Sequence, residues 1–237
     1  LSLRRLVNGP RVGDDTFPDA SVWMTIKMAR SASKAAANAP ATVAAAAGAK
    51  AERPGRLSAD DWAQAALELI AEQGVAAVAV EPLARRLGVT KGSFYWHFPS
   101  REALLQAALE RWETVEQQAV FGTLEHVPDP RERLRSLFQM VAHEYQSHVI
   151  YSALLKALDH PAVQPVIDRV SKRRLDYLTA SFRQTGLGRE DAVHRARLTY
   201  AAYVGFLQLN LQLHQTRMPQ EEFEAYVEHL TTTLVPA

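Results

Sequence analysis

The twelve residues from Thr90 to Arg101 concentrate donors and aromatic faces: Lys91, Ser93, Tyr95, Trp96, His97 and Arg101. On a helix, Phe94 and Phe98 fall at i and i+4 and face a core together. Gly92 and Trp96 then point away, with Ser93 and Tyr95 on the flanks. Gly92 carries no side chain, so such a helix can approach a groove closely. Lys91, Tyr95, His97 and Arg101 have the reach for phosphate oxygens, and Lys91 and Ser93 suit base edges. Taken singly, each has an ordinary reading: half-buried aromatics, a core histidine, an arginine on a solvated face. Their assembly on one short helix is harder to explain that way.

Enzyme chemistries fail on spacing. His143-Glu144 with His148 suggests a zinc-protease helix, but that motif needs histidines at i and i+4. Here they stand at i and i+5, about 140° apart around a helix. Gly186-Leu187-Gly188 lacks the glycines and the strand of a phosphate loop. No Gly-x-Ser-x-Gly elbow occurs. The chain has no cysteine, which removes disulfides, thiolate catalysis and Cys-ligated metals. Neither an enzyme, a cofactor nor a metal is expected.

The elements around the Thr90–Arg101 segment read as helices. Ser58 caps a first helix, with Asp61 at the position of a capping box. Ala63, Ala66, Leu67 and Ile70 form its apolar stripe, and Gly74 ends it. A short second helix runs from about Glu81 to Leu87, with Pro82 in its first turn. Gly88 and Val89 make a tight turn, and Thr90 caps the third helix. Pro99 and Ser100 stop that helix, and Ser100 caps a fourth carrying Leu104, Leu105, Ala108 and Trp112. Two short helices joined by a glycine turn, behind a longer one, describe a helix-turn-helix unit.

The run Val80–Leu105 closely resembles the DNA-binding domain of TetR/AcrR-family transcriptional regulators. The pattern is carried by Gly88, Val89, Gly92, Tyr95, His97, Phe98, Arg101 and Leu104, and about 60 residues take part once Arg56–Gly74 is included. The resemblance makes the third helix the recognition helix. It implies base contacts from Lys91, Gly92 and Ser93, with Thr90 beside them, and phosphate contacts from Tyr95, Trp96, His97 and Arg101. Val80 departs from the family, which has Thr or Ser there to cap the second helix and touch phosphate. Glu81 is expected to read a cytosine amine or to stay in solvent.

Beyond Pro128 and Pro130 the helical period continues. A fifth helix carries Leu134, Leu137, Phe138, Val141 and Tyr145. Helical segments follow over Ser147–Leu158, Ala162–Gln184 and Arg189–His214, and a last one begins after Pro219. About nine helices result, an all-α chain. From Leu198 to Leu213 the eighth helix is apolar nearly all round, and such a helix is buried on every face. One face is expected to pack inward and the other against a second subunit, which agrees with the eighth and ninth helices forming the dimer surface in the resembled family. Tyr200, Gly205, Gln208, Asn210, Tyr226 and Leu230 are the residues expected there. His143, Tyr145, Gln146, Tyr151, Tyr177, Phe182, Tyr203 and Phe206 mix apolar bodies with polar tips, as a pocket for an apolar or aromatic effector would. The resemblance implies an effector that alters reader spacing and releases DNA, with repression as the default.

Charge divides the chain unevenly. Of 27 basic and 26 acidic residues, 1–56 holds nine and four, so this arm is +5 and the remainder −4. From Ala35 to Ala49 ten of fifteen residues are Ala, too little apolar surface to offset chain ordering. No Leu, Ile or Phe lies between Met28 and Leu57, so a secretory h-region is lacking. Translation is expected to begin at Met24 or Met28. The expected organisation is a disordered basic arm (1–55), a helix-turn-helix domain (56–116) and an effector-binding and dimerisation domain (117–237). The expected setting is cytoplasmic without membrane contact, and the expected partners are a palindromic DNA duplex, a second copy and a small effector. The alternative is a helical DNA-associated protein that binds non-specifically through its arm.

Overall fold

The computed structural model describes residues 57–118, 122, 124, 126–142, 145–213 and 219–236; the side chains of Tyr145, Gln146 and Gln220 lie outside the description. The basic arm and His143 also lie outside the described residues. The chain falls into two compact units, 1–49 with 218–224, and 50–217 with 225–237. All the geometry below belongs to the second unit, apart from the first turn of the last helix.

Nine α-helices and no strand occur among the described residues. They are α1 (Ala59–Gln73), α2 (Val80–Arg86), α3 (Lys91–Tyr95), α4 (Arg101–Gln117), α5 (Pro130–Ala142), α6 (Tyr145–Leu155), α7 (Gln164–Gln184), α8 (Arg189–Leu207) and α9 (Gln220–Leu234). The all-α reading and its helix count therefore hold.

The capping box that starts α1 is complete. Asp61 N–H donates to Ser58 Oγ at 3.2 Å, and Ser58 N–H donates to Asp61 Oδ2 at 2.7 Å. These bonds hold the Asp61 carboxyl below its usual range, with Arg111 and His97 adding to the effect. Trp62, Ala66 and Ile70 are fully enclosed on the inner face. Gly74, at φ 85°, closes the helix by donating to the Ile70 carbonyl at 2.9 Å. Ser100 likewise caps α4 by accepting from Ala103 N–H at 3.1 Å.

Two apolar clusters form. The larger joins α1 to α4 with α6, the start of α7 and Leu207. The smaller gathers Leu124, Leu134, Leu137, Leu178, Phe182, Ala192, Ala196 and Val235. Arg195 of α8 donates to the carbonyls of Thr233 and Leu234, placing a cation on the last turn of α9.

The eighth helix departs from its expected form. The α-helix stops at Leu207, and Gln208–Gln212 form a π-helical turn in which Leu213 N–H reaches back to the Gln208 carbonyl at 2.9 Å. Its residues divide between an exposed face and a buried one. Leu198, Leu209 and Leu213 are exposed, while Ala192, Ala196, Thr199 and Leu207 are buried.

Candidate nucleic-acid interface and buried polar centre

The turn between α2 and α3 needs Gly88, whose φ of 68° lies in the left-handed region. Around it Leu87 N–H donates to the Leu83 carbonyl, and Val89 N–H to the Ala84 carbonyl, both at 2.9 Å. These bonds fix the angle at which α3 leaves α2. Phe94 anchors α3 from below. It is fully buried, edge-on to Trp62 at 5.4 Å and against Phe98 at 5.8 Å.

With Phe94 held inward, the opposite residues face outward. Trp96 is 81% exposed and Tyr95 65%. Thr90, Lys91 and Gly92 are exposed as well, and Ser93 and His97 are partly so. Every residue expected to touch DNA is thus at least partly accessible, although three details differ from expectation. Thr90 is the N-cap of α3 by position, but its side chain makes no capping bond. Glu81 is ion-paired to Lys91. Arg101 grips the chain itself: Nε donates to the Val78 carbonyl at 2.5 Å and Nη2 to the Val75 carbonyl at 3.3 Å. Those carbonyls lie in the connector between α1 and α2, so Arg101 braces the unit at least as directly as it offers a charge to phosphate. The start of α2 at Val80 has no side-chain cap, in keeping with the lost Thr or Ser.

In the body the expected pocket residues separate into groups. Tyr151 and Tyr203 come together, their rings nearly parallel at 6.0 Å. Tyr177 and Phe182 belong to the smaller apolar cluster instead. Phe206 stacks on Tyr226 at 5.5 Å, pairing an expected pocket residue with an expected interface residue. Tyr200 turns its hydroxyl inward, to Tyr151 and to Ser171 Oγ, the latter at 2.9 Å. Asn210 donates to its own helix at the Phe206 carbonyl (2.9 Å). A Cβ at Gly205 would meet nothing within 4 Å, so no close approach inside the subunit requires that glycine.

Sequence reasoning missed the centre of this region, Arg174. Its guanidinium lies over the Tyr151 ring at 4.4 Å and the Tyr203 ring at 5.4 Å, and Nη2 donates to Glu116 Oε2 at 2.5 Å. Burial opposes its charge, but Tyr203, Glu116 and Tyr151 outweigh that and raise its pKa. Burial lifts the Tyr151 and Tyr203 hydroxyls above the usual tyrosine range. His148, edge-on to Tyr203 at 5.4 Å, is pushed down to about 4 by burial and by Arg174. Beside this centre Glu113 accepts from Arg169 (2.7 Å) and Arg173 (2.8 Å), which hold its carboxyl below the usual range despite partial burial. The available sequence signal was Arg169, Arg173 and Arg174 on one helix and Glu113 and Glu116 on another.

Among the described residues no group of three or more His, Asp or Glu converges as a metal site would. No described helix is long and apolar enough to cross a membrane.

A short helix fixed by a glycine turn behind a longer one, with aromatic and cationic side chains outward, has the form of a helix-turn-helix unit. Residues 64–108, which hold α2 and α3, match the family model for bacterial regulatory proteins of the tetR family. The HTH-type transcriptional regulator SrpR of Pseudomonas putida is 47% identical over 45 residues, 19% of this chain and 21% of that protein. The HTH-type transcriptional repressor KstR2 of Mycolicibacterium smegmatis is 29% identical over 124 residues, 48% of this chain and 58% of that protein. The chain therefore spans between a fifth and three-fifths of the length of these two relatives. A TetR transcriptional regulator from Legionella pneumophila shares the fold with a TM-score of 0.63 at 17% identity, covering 79% of this chain and all of that one.

Proposed function

We propose that the chain is a DNA-binding transcriptional regulator that acts as a homodimer on a palindromic operator and is released by a small apolar or aromatic effector. The outward face of α3 carries the reading: Lys91, Tyr95 and Trp96 stand exposed over a buried Phe94. Lys91 and Ser93 suit base edges, and Tyr95, Trp96 and His97 suit flanking phosphates. Arg101 joins the phosphate contacts through whatever reach its two carbonyl bonds leave.

Dimerisation through α8 and α9 would cover the exposed Leu198, Leu209 and Leu213 and present two α3 helices to half-sites about 34–36 Å apart. The organisation proposed is an arm over 1–55, a reader over 56–116 and an effector and dimer domain over 117–237, in a cytoplasmic setting. Repression is the proposed mode, with the effector favouring the spacing that cannot bind DNA.

Selection of bound DNA from a random pool tests this. A palindrome with half-sites one helical turn apart is the expected product. A pool that stays random under binding conditions would instead support non-specific attachment through the basic arm.

A further inference from the structure

Arg174 has a feature that its pairing with Glu116 does not use. Its side chain is 16% exposed, yet its Nη1 is sealed from solvent and has no acceptor among the described residues. Trp112, 3% exposed, stacks on the other neighbour in the row, Tyr151, at 6.0 Å, and its buried Nε1 also lacks an acceptor. Two enclosed donors thus flank one tyrosine ring. A buried donor left unmatched is costly, and more so when it is charged. An acceptor-bearing ligand would recover that cost.

The surroundings narrow the ligand. Tyr151 and Tyr203 cover the guanidinium, so a ligand must approach along its edge, at Nη1. Edge-on approach to a guanidinium favours a planar carboxylate. Among the described residues, Arg169, Arg173 and Arg174 make direct ion pairs with Glu113 and Glu116 only, one carboxylate too few. Exposed Glu110 lends its field to Arg169, on the solvent side. Tyr151 and Tyr203 lie against the guanidinium, and Trp112 and His148 pack on those two rings in turn. They suit an aromatic body better than a polar one.

We propose that Arg174 is the anion-recognition residue of the effector site, that the effector is an aromatic monocarboxylate, and that its carboxylate competes with Glu116 for the guanidinium. This rests on the regulator reading above and adds the ligand's class and the link it breaks. Glu116 sits near the end of α4, and the same helix begins with Arg101, which grips the Val75 and Val78 carbonyls of the reader. Drawing Arg174 off Glu116 removes one of the three ion pairs that tie the body end of that helix to α7 and leaves those of Glu113 with Arg169 and Arg173.

Calorimetric titration of the full chain with benzoate, and with benzamide as its neutral counterpart, tests the proposal. Benzoate is expected to saturate the protein and to bind at least about tenfold tighter than benzamide. Arg174→Lys keeps a cation but loses the planar edge, and should weaken benzoate about tenfold while moving benzamide less than about twofold. Glu116→Gln removes the competing carboxylate and should tighten benzoate about threefold or more. A purely structural ion pair would not produce that gain, and Glu116→Gln carries the test should Arg174→Lys fail to fold. The proposal is overturned by benzamide binding as tightly as benzoate, by no saturable benzoate binding, or by weaker benzoate binding in Glu116→Gln. An operator enriched from random DNA alongside any of those results removes the effector assignment alone. Benzoate binding without enrichment removes the regulator reading alone.

Discussion

Around Phe94 the helices α1 to α4 enclose mainly apolar side chains, while the two largely buried carboxylates of α4, Glu113 and Glu116, pair with arginines of α7. Ser58, Asp61 and Ser100 serve caps, and Trp62, Phe94, Leu104 and Leu105 fill the interior. Between α6, α7 and α8 the interior holds a guanidinium, a histidine and the hydroxyls of Tyr151 and Tyr200. Apolar packing has one good arrangement and resists displacement. A buried polar network is held by specific partners, and a competing partner can rearrange it. In the regulator proposed above, the first suits a reader that presents a fixed surface and the second a body that responds to an effector.

The largest expected effect tests the apolar half. Phe94→Ala removes the ring that supports α3 against Trp62 and Phe98, and should lower unfolding free energy by about 3–5 kcal/mol in urea denaturation. A loss under about 1 kcal/mol would mean that α3 is not anchored by packing.

The polar half should behave in a less additive way. Arg174→Met leaves the Glu116 carboxylate enclosed without its cation and should cost about 3 kcal/mol. Adding Glu116→Leu removes that stranded charge, and the double variant should regain at least half of the loss. Equal losses in the single and double variants would show that the ion pair is not what holds α4 to α7.

Acid should separate the halves next. Burial keeps His148 neutral, with a pKa of about 4 in the fold against 6.5 for a free histidine. The unfolded chain therefore binds the extra proton first as pH falls. The contribution is full above pH 6.5 and is lost on the way down to 4, about 2 kcal/mol of it between pH 7 and pH 5. His148→Gln should flatten that slope in denaturation curves measured at both pH values. The carboxylates of Glu113 and Asp61 act in the same direction, but their contribution is lost from their free values of 4.5 and 3.8 downward, so most of this window belongs to His148. An unchanged slope in His148→Gln would contradict its burial.

What could be read from the sequence follows the same division. Ser58 with Asp61, Gly74, Gly88, and Phe94 with Phe98 act over a few residues, so spacing alone exposed them. Arg174 and Glu116 are 58 residues apart, and nothing local marks them as a pair. Tyr200, expected on the dimer face, turns its hydroxyl to Tyr151 and Ser171, because on a helix apolar all round the period does not say which face turns inward. Arg101 shows the limit inside the reader. Its position in the motif suggested phosphate, but its contacts with Val75 and Val78 cross more than twenty residues.

The smallest effect concerns Glu81, an acidic side chain paired on the reading surface. Glu81 holds Lys91 in an exposed ion pair, and Lys91 pulls the Glu81 carboxyl below its usual range. A carboxylate there repels phosphate and occupies the cation meant for DNA. Glu81→Gln releases Lys91 and removes that repulsion. Affinity for the selected operator should rise about threefold, and the salt slope should steepen by up to about one counterion if the freed Lys91 reaches a phosphate. If Lys91 contacts a base instead, the same variant should shift sequence preference at one position and leave the slope nearly unchanged. Binding curves at three salt concentrations, on the operator and on a single-base variant, separate the two. If neither slope nor preference moves, Lys91 lies outside the DNA contact, and the reading surface must be redrawn around Tyr95, Trp96 and His97.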